Sequence, residues 1–441
     1  MKDSIYGLIS KDFHIEILEN LCVSGGIQTG PFGSQLHQRD YLSVGTPIIT
    51  VEHLGENRIL HQDLPCVSDE DKERLSRYMM QKGDIIFSRV GSVDRRALVR
   101  DEEDGWLFSG RCLRVRPDKS KVDSGYLSWF FGFAMFKDYI RRVAVGATMP
   151  SLNTDLLSKV PVIVPPLPEQ RAIAAVLGAL DDEIQAKGGE SKGMRRILNH
   201  LINRLVSGAW SVEEGKAWLA TARRLIEPLD DKIELNRRMN RTLEAIAQAV
   251  FRHWFVENEE AEGWEIKTLG DICEFAYGKG LKEEERVLGP IPVYGSNGQI
   301  GWHNEPLVKG PGIVVGRKGN PGIVTWVHTD FFPIDTTFYV EIKDKETSLY
   351  WLYYMLVSLN LSNLAADSAV PGLNRNFAYM SELVYPPTDL MKKFDDVIKP
   401  LFAKIHANEQ QSRTLAALRD ALLPKLMRGE VRVAVHEEGH A

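Results

Sequence analysis

The sequence of 441 residues predicts an α/β (α+β) fold in which two copies of one unit follow each other along the chain. Three observations support this prediction. Similar segments recur in the same order in both halves, short apolar runs between glycines and prolines are typical of strands, and two later segments have the alternating three- and four-residue spacing of coiled-coil helices. We therefore expect two duplicated domains joined by long helices that form a two-helix coiled coil.

The internal repeat appears as short matching segments at nearly constant offsets in residue number. IIFSRVGS (Ile85 to Ser92) matches IVVGRKGN (Ile313 to Asn320) at an offset of 228. MPSLN (Met149 to Asn153) matches VPGLN (Val370 to Asn374) at an offset of 221. Because the matching segments keep their order, the chain contains two copies of one structural unit.

An insertion interrupts the first copy. KIELNRRMNRTLEAI, from Lys232, matches KIHANEQQSRTLAAL, from Lys404, at an offset of 172, which is 49 fewer than 221. LDDEI (180–184) recurs as LDDKI (229–233), so the insertion lies at about 185–233. Its glycines and Pro228 are unfavourable inside a helix. We therefore expect two short helices that loop out and return to the same heptad register.

The repeat boundaries divide the chain into consecutive regions. We expect a first domain at 1–164, a central helical region with the insertion at 165–256, a second domain at 257–385, a C-terminal helical region at 386–433 and a tail at 434–441. In each domain the sequence predicts short strands separated by glycine and proline turns, and one aromatic-rich helix.

Polar residues occupy matching positions on the apolar stripes of the two long helices. Asn236 corresponds to Asn408, and Asn240 corresponds to Ser412. Polar residues at such positions usually fix the register of a coiled coil at some cost in stability. Because the positions coincide in both copies, we expect the helices to pair with each other. The alternative is two surface helices that carry occasional polar residues.

Charge and composition exclude several classes of protein. The chain has 54 Lys+Arg against 60 Asp+Glu, a net charge of −6, which excludes a uniformly basic nucleic-acid-binding protein but not a local basic face. Its four cysteines are far apart without a C-x-x-C pair, so we expect neither structural zinc nor a disulfide framework. No segment has the apolar character of a signal peptide or a membrane span. We expect a cytoplasmic protein without a membrane partner.

Motifs of catalysis are missing from the sequence. No phosphate loop, H-E-x-x-H helix or G-x-S-x-G elbow occurs. Asp335, Glu341 and Lys343 resemble the side chains of metal-dependent nucleases, but the alternating pattern predicts one continuous strand from Asp335 to Lys343. Six residues at ~3.3 Å each would hold the two carboxylates roughly 20 Å apart, too far to bind one ion. We predict no catalytic residue and no metal site.

Candidate DNA-binding side chains occur in the loops of both domains. Arginine suits phosphates and the guanine edge, whereas asparagine and glutamine suit adenine. The candidates in the first domain are Gln28, Thr29, Ser34, Gln35, Arg89, Ser92 and Arg95. Those in the second domain are Lys279, Ser296, Asn297, Gln299, Arg317, Lys318 and Asn320. Any one of them can be a solvated surface residue, but as sets on duplicated loops they favour DNA recognition.

Several long segments carry a resemblance to a known family. The chain resembles the specificity subunit of type I restriction–modification systems in TGPFGSQL (Thr29 to Leu36), PPLPEQRAIAAVLGALDD (Pro165 to Asp182), LDDKIELNRRMNRTLEAIAQAVFRHWFV (Leu229 to Val256), YGSNGQIGW (Tyr294 to Trp302), DTTFYV (Asp335 to Val340) and ALLPKLMRGEVRV (Ala421 to Val433). The resemblance covers nearly the whole chain except the insertion.

The resemblance implies a function without catalysis. In this family two target-recognition domains each recognise one half of a split, asymmetric site in double-stranded DNA. The two long helices pair antiparallel, set the distance between the half-sites and bind two modification (methyltransferase) subunits, and restriction (translocase–endonuclease) subunits complete the enzyme. S-adenosylmethionine, ATP and Mg²⁺ are then expected on partner chains, with no cofactor on this one. The alternatives are a self-contained metal-dependent DNA endonuclease and a coiled-coil scaffold without DNA affinity.

Overall fold

The structure, a computed structural model, divides into two units along the chain. The first unit contains Met1–Asp231 together with the chain from Ala416, and the second contains Lys232–Leu415. Each unit therefore holds one of the predicted domains with parts of both long helices. The structure describes residues 1–31, 35–146, 149–189, 191–364 and 372–431.

Short strands form the framework of the first unit. They are β1 (Lys2–Ser4), β2 (Gly7–Ile9), β3 (His14–Ile17), β4 (Gln28–Thr29), β5 (Thr46–Ile49), β6 (Glu56–Asn57), β7 (Cys66–Val67), β8 (Ile85–Ser88), β9 (Arg96–Leu98), β10 (Leu107–Phe108), β11 (Cys112–Val115) and β12 (Pro161–Val164). The main sheet has the order β4–β11–β8–β9–β6. Strands β8 and β11 are buried along their whole length, so both faces of the sheet centre are covered.

Helices pack around these strands. They are α1 (Asp69–Arg74), α2 (Ser124–Phe130), α3 (Ala134–Val143), α4 (Thr154–Ser158), α5 (Leu167–Ala186), α6 (Lys192–Val206) and α7 (Val212–Phe251). The aromatic-rich segment forms two helices, α2 and α3, where the sequence predicted one. The break lies near Gly132, where a Cβ would clash with the buried guanidinium of Arg96. Arg96 Nε donates to the Ser128 carbonyl at 3.0 Å, so the chain turns to accommodate a buried cation.

The insertion is part of the core of the first unit, which corrects the prediction that it loops out. Its two ends do lie together, because Lys187 Nζ is 3.1 Å from Asp231 Oδ1. Between them, α6 buries Ile197, Leu201 and Leu205 completely in the hydrophobic core of the domain. The reason is an amphipathic pattern in α6, which provides an apolar face of helical spacing to bury.

The second inserted helix also differs from the prediction of a short helix. Helix α7 continues without interruption through Gly215 and Pro228 to its end at Phe251. A proline inside a helix costs about 3 kcal/mol, so other interactions must compensate. Ile226, two residues before the proline, is completely buried, and Asp230, two residues after it, forms a buried ion pair, so packing and pairing hold the helix on both sides of Pro228.

The second unit repeats the plan of the first. Its strands are β13 (Glu265–Thr268), β14 (Cys273–Tyr277), β15 (Ile291–Gly295), β16 (Gly298–His303), β17 (Gly312–Gly316), β18 (Val324–Val327), β19 (Phe332–Pro333), β20 (Thr337–Ile342) and β21 (Glu382–Tyr385). Its helices are α8 (Leu269–Ile272), α9 (Leu349–Ser358), α10 (Arg375–Tyr379) and α11 (Thr388–Met427). The main sheet has the order β14–β20–β17–β18, and a smaller sheet has the order β16–β15–β19.

Strand register confirms the duplication. In the first unit Leu113 of β11 lies opposite Phe87 of β8, and in the second unit Phe338 of β20 lies opposite Val315 of β17. Phe87 and Val315 also occupy matching positions of the repeated segments that begin at Ile85 and Ile313. The two domains therefore have the same antiparallel pairing at the centre of their sheets.

The long helices α7 and α11 pair antiparallel within each unit. In the second unit Asn236 Nδ2 donates to Ser412 Oγ at 3.2 Å. In the first unit Trp218 Nε1 donates to the Leu426 carbonyl at 3.3 Å. Because low numbers of α7 meet high numbers of α11, the helices run in opposite directions, as the resemblance implied. Among the described residues, no helix combines the length and apolar character needed to cross a membrane.

Candidate nucleic-acid interface

Two of the predicted residues in the first unit hold other side chains in place. Gln28 Oε1 accepts a hydrogen bond of 2.8 Å from Arg114 Nη2, and Gln35 Oε1 accepts one of 2.8 Å from the Tyr78 hydroxyl. Both glutamines are half-buried. Thr29 follows Gln28 in β4 and is half-buried as well. Ser34 lies outside the described residues.

The other predicted residues of this unit lie on the turn between β8 and β9. Ser92 and Arg95 are exposed, and the turn is closed by the Arg95 amide, which donates to the Ser92 carbonyl at 3.0 Å. Arg89 lies at the base of the turn, where its Nη1 donates to the Gly110 carbonyl at 3.2 Å. The turn thus presents hydroxyl and guanidinium groups to solvent from the end of the central strand.

A cavity of about 780 Å³ opens beside Arg89. Its wall includes the exposed Arg111, which the sequence analysis did not select, and the aromatic ring of Tyr41. Glu52 and Asp63 also line it, so the cavity carries both signs of charge. The sequence indicates Arg111 only by its position, because this arginine lies one residue before the apolar segment that forms the buried strand β11.

Four predicted residues of the second unit converge from two separate turns. Ser296 Oγ donates to the Lys318 carbonyl at 2.5 Å, and Asn320 Nδ2 donates to Asn297 Oδ1. Ser296 and Asn297 follow β15, whereas Lys318 and Asn320 follow β17. Asn297, Lys318 and Asn320 are exposed. The two turns therefore form one polar surface with amide, hydroxyl and ammonium groups.

An exposed aromatic ring lies next to this surface and was not selected from the sequence. Tyr277, at the end of β14, is 49% exposed. The guanidinium carbons of Arg317 and Arg375 lie 4.9 Å and 4.7 Å from its ring centroid. Lys279, two residues beyond the tyrosine, is exposed, and its amide donates to the Pro333 carbonyl at 3.1 Å. Three cationic side chains therefore lie around or just beyond Tyr277.

Gln299 lies on the wall of a cleft of about 1140 Å³ in the second unit. It is exposed, and its Nε2 donates to the Gly301 carbonyl at 3.3 Å. Trp302 and Arg413 line the same cleft, with the Arg413 guanidinium 5.6 Å from the centre of the Trp302 ring. The structure therefore does not place Gln299 among the hydrogen-bonded residues of the two turns.

Three possible metal ligands lie close together in this cleft. The ligand atoms of His328, His406 and Glu409 lie within 4.8 Å of one another. The two imidazoles are stacked, with centroids 4.8 Å apart and planes at 29°, so their in-plane lone pairs do not converge. Burial, followed by the effect of His406, lowers the pKa of His328 to about 4, so this imidazole is neutral at pH 7.

The nuclease alternative finds no support at Asp335 and Glu341. The strand that contains Glu341, β20, begins only at Thr337, so Asp335 precedes it and the predicted strand was too long. Asp335 is exposed, and its backbone carbonyl accepts from Arg317 Nη1 at 2.9 Å. Glu341 is exposed on β20 opposite Glu274 of β14. Asp335 thus contributes a backbone acceptor that holds Arg317, one of the two arginines beside Tyr277.

The four predicted register residues form one hydrogen-bonded network between α7 and α11. Asn236 Nδ2 donates to Ser412 Oγ, to Gln411 Oε1 at 2.9 Å and to the Asn408 carbonyl at 3.3 Å. Asn408 Nδ2 donates to Asn240 Oδ1 at 2.8 Å. Asn236 and Asn408 are almost completely buried. A slip of either helix would leave these buried amides without partners, so the network opposes other registers.

Comparisons with known proteins identify the family. Residues 33–192 and 261–414 match the family described as "Type I restriction modification DNA specificity domain". The type I restriction enzyme MjaIX specificity subunit of Methanocaldococcus jannaschii is 22% identical over 98% of this chain and 96% of its own length. The HindI specificity subunit of Haemophilus influenzae is 22% identical over 85% of this chain and 92% of its own length. The crystal structure of a type I S subunit from M. genitalium gives a TM-score of 0.49 at 18% identity, covering 95% of this chain and 96% of that one.

The family matches this chain twice, with one match for each copy of the repeat. The first match ends at residue 192, so most of the inserted segment lies outside it. Together the two matches span well over half of the chain and include the turns that follow β8, β15 and β17, whereas β4 precedes the first match. The chain therefore belongs to the type I restriction–modification DNA specificity family.

Proposed function

We propose that this chain is the DNA-recognition subunit of a type I restriction–modification complex and that it recognises a split, asymmetric site in double-stranded DNA. The observation that carries the proposal is a duplicated framework with partly shared and partly different side chains at its strand ends. A shared framework places each domain on the duplex in a similar way, whereas different side chains recognise different bases.

The shared part of the surface contains an arginine. Arg89 and Arg317 occupy the same position of the repeat, each one residue after the buried central strand of its sheet. The following turn is exposed in both copies, and its equivalent positions Ser92 and Asn320 carry different side chains. Arginine at a common position suits a contact that both half-sites offer, and the phosphate backbone is the part of DNA that does not vary with sequence.

Two further pairs of equivalent positions also carry different side chains. Thr29 and Tyr277 correspond, because they lie opposite the equivalent residues Leu113 and Phe338 in their sheets. Thr154 of α4 corresponds to the arginine that begins α10, since both follow an asparagine N-cap. A hydroxyl in one copy and an aromatic ring or guanidinium in the other offer different groups to a base pair. Unlike half-sites follow from this difference.

We propose that the paired helices set the spacing between the half-sites and bind two modification subunits, with restriction subunits joining the complex. The polar network of Asn236 and Asn408 supports this role, because a helix pair can set a constant distance only if its register is fixed. Methyl transfer and cleavage are assigned to the partner chains, which would hold S-adenosylmethionine, ATP and Mg²⁺. Asp335 precedes β20, whereas Glu341 lies near the end of that strand. This arrangement supports a chain without its own nuclease centre.

Gel-shift measurements on the purified chain, alone and with co-expressed modification subunit, test this proposal. Long-read sequencing first determines which motif is methylated in cells that contain the system. A DNA-recognition subunit shifts duplexes that carry this motif and leaves them uncut. A scaffold without DNA affinity shifts none of them. A self-contained endonuclease cuts DNA with Mg²⁺ alone and loses cleavage in Asp335→Ala or Glu341→Ala. The absence of any shift and cleavage by the chain alone would each contradict the proposal.

A further inference from the structure

We propose that Arg375 recognises a guanine in the half-site bound by the second domain. In this proposal Tyr277 positions the guanidinium group of Arg375, and Arg317 contacts the phosphate backbone. This inference rests on the proposed function and assigns separate tasks within its site. It starts from the cluster formed by these three side chains, in which two guanidinium groups lie within 5 Å of the centre of one half-exposed ring.

Three separate elements bring the cluster together. Tyr277 ends β14, Arg317 follows β17, and Arg375 is the first residue of α10 behind the N-cap Asn374. Each arginine is also tied to the backbone. Arg317 Nη1 donates to the Asp335 carbonyl at 2.9 Å, and Arg375 Nη1 donates to the Phe275 carbonyl at 3.2 Å. The guanidinium planes are therefore oriented before any ligand arrives, which reduces the entropy lost on binding.

The cluster keeps hydrogen-bonding capacity and charge for a ligand. A guanidinium carries five N–H donors, and a single bond to a carbonyl leaves most of them available. The ion pairs between described residues of the second unit, such as Lys267–Glu265 and Lys392–Glu346, do not include either arginine. Two cations beside one exposed ring fit a ligand with paired acceptor atoms, such as guanine O6 and N7 or a phosphate group.

The repeat separates the tasks of the two arginines. Arg317 recurs as Arg89 in the first domain, whereas the position of Arg375 holds Thr154 and that of Tyr277 holds Thr29. Both half-sites have the same phosphates but unlike bases. A residue shared by both domains therefore suits the backbone, and a residue found in the second domain alone suits a base. Arginine forms its commonest specific base contact with guanine.

The experiment uses the full chain in complex with its modification subunit and duplexes that carry the wild-type motif. Each G·C pair of the second half-site is replaced in turn by A·T, and affinities are measured at several salt concentrations. For wild-type protein we expect one replacement to weaken binding roughly 5- to 150-fold, which corresponds to about 1–3 kcal/mol. The same duplex with 7-deazaguanine at that position, which lacks the N7 acceptor, should also bind more weakly.

The arginine variants distinguish a base contact from a phosphate contact. In Arg375→Ala the difference between the G·C and A·T duplexes should fall below about twofold, and Arg375→Lys should not restore it because lysine lacks the planar fork. Arg317→Ala is the matched control, which should weaken all duplexes alike and reduce the slope of log K against log salt by about 1. Tyr277→Phe should keep most of the discrimination, and Tyr277→Ala should lose part of it.

Three results overturn the inference. One is a second half-site without a G·C pair, and another is Arg375→Ala that retains wild-type discrimination. The third is an Arg375→Ala variant that weakens every duplex equally and lowers the salt slope, which would make Arg375 a phosphate contact. Unchanged discrimination at the first half-site shows that each variant is folded. A wild-type complex without any sequence preference contradicts the proposed function instead, so the two failures are distinguishable.

Discussion

Asp230 of α7 and Arg419 of α11 form an ion pair of 2.8 Å in which the side chains are only 6% and 8% exposed. The same carboxylate accepts hydrogen bonds from the Ser191 hydroxyl at 2.5 Å and from the Gly193 amide at 3.0 Å. One buried aspartate therefore joins both long helices to the start of the inserted helix α6.

Arg419→Met should destabilise the chain strongly, because Asp230 would keep its buried charge without its partner. Loss of one member of a buried pair costs about 3–5 kcal/mol. The free energy of unfolding in urea measures the effect. Arg196→Met is the control, since Arg196 pairs with Asp420 at 3.0 Å on the surface, and such pairs contribute about 0–1 kcal/mol. Similar losses in both variants would contradict this account of the buried pair.

Leu201→Ala, in the inserted helix, should lower the free energy of unfolding by about 2–5 kcal/mol, because Leu201 is completely buried in the core of the first unit. Asn199→Ala, an exposed position two residues earlier, should have little effect. Deletion of Gln185 to Ile233 should give a chain that does not fold cooperatively, which circular dichroism during urea titration detects. A soluble deletion variant that targets the same motif would show the insertion to be dispensable.

Exchange of Met1 to Val164 for the corresponding domain of a related protein should change one half of the methylated motif and leave its spacing unchanged. The structure adds a condition, because this domain binds α5 through charge. Arg58 Nε is 2.7 Å from Asp181, and Arg100 Nη1 is 3.0 Å from Asp182. A hybrid should be stable only when the related protein that supplies the domain has basic residues at the positions of Arg58 and Arg100. Long-read sequencing of methylated DNA provides the measurement, and a change in both halves would refute the modular assignment.

Acidification should destabilise the second unit through His328. Burial lowers the pKa of this imidazole from 6.5 to about 4, so the unfolded chain binds the proton more readily than the folded chain. The free energy of unfolding should therefore fall as the pH decreases from about 6.5 towards 4 and be unaffected by this group above that range. His328→Asn should reduce the pH dependence of the urea midpoint, whereas replacement of the exposed His253 should not. An unchanged pH dependence in His328→Asn would contradict the assignment.

Features set by local pattern were predictable from the sequence. The repeat offsets correctly identify which residues lie at equivalent positions, because homologous strands keep their pairing register. The heptad positions of Asn236 and Asn408 likewise predict their meeting, since both lie on stripes that must be buried together. In both cases a regular spacing in the sequence becomes a regular spacing in the structure.

Features that depend on distant contacts were not predictable. Nothing near Tyr277 in the sequence indicates that Arg317 and Arg375 reach its ring, because the three lie on separate elements. The insertion differs from the prediction for a related reason. Glycine and proline content suggested an excursion, whereas the apolar face of α6 and the ion pair of Asp230 fix the segment in the core. Propensity is a weak local preference, and tertiary packing overrides it.

The asparagine network contains the same contact twice. Asn236 and Asn408 are equivalent in the repeat, as are Asn240 and Ser412, so the contact from Asn236 to Ser412 corresponds to the contact from Asn408 to Asn240 with the helices exchanged. A local two-fold axis therefore passes between α7 and α11 within the second unit. The axis gives the helix pair two equivalent surfaces, so a protein that binds one of them can bind the other in the same way. Duplication within one chain has thus given this helix pair the local two-fold symmetry that is usual between the identical helices of a homodimer.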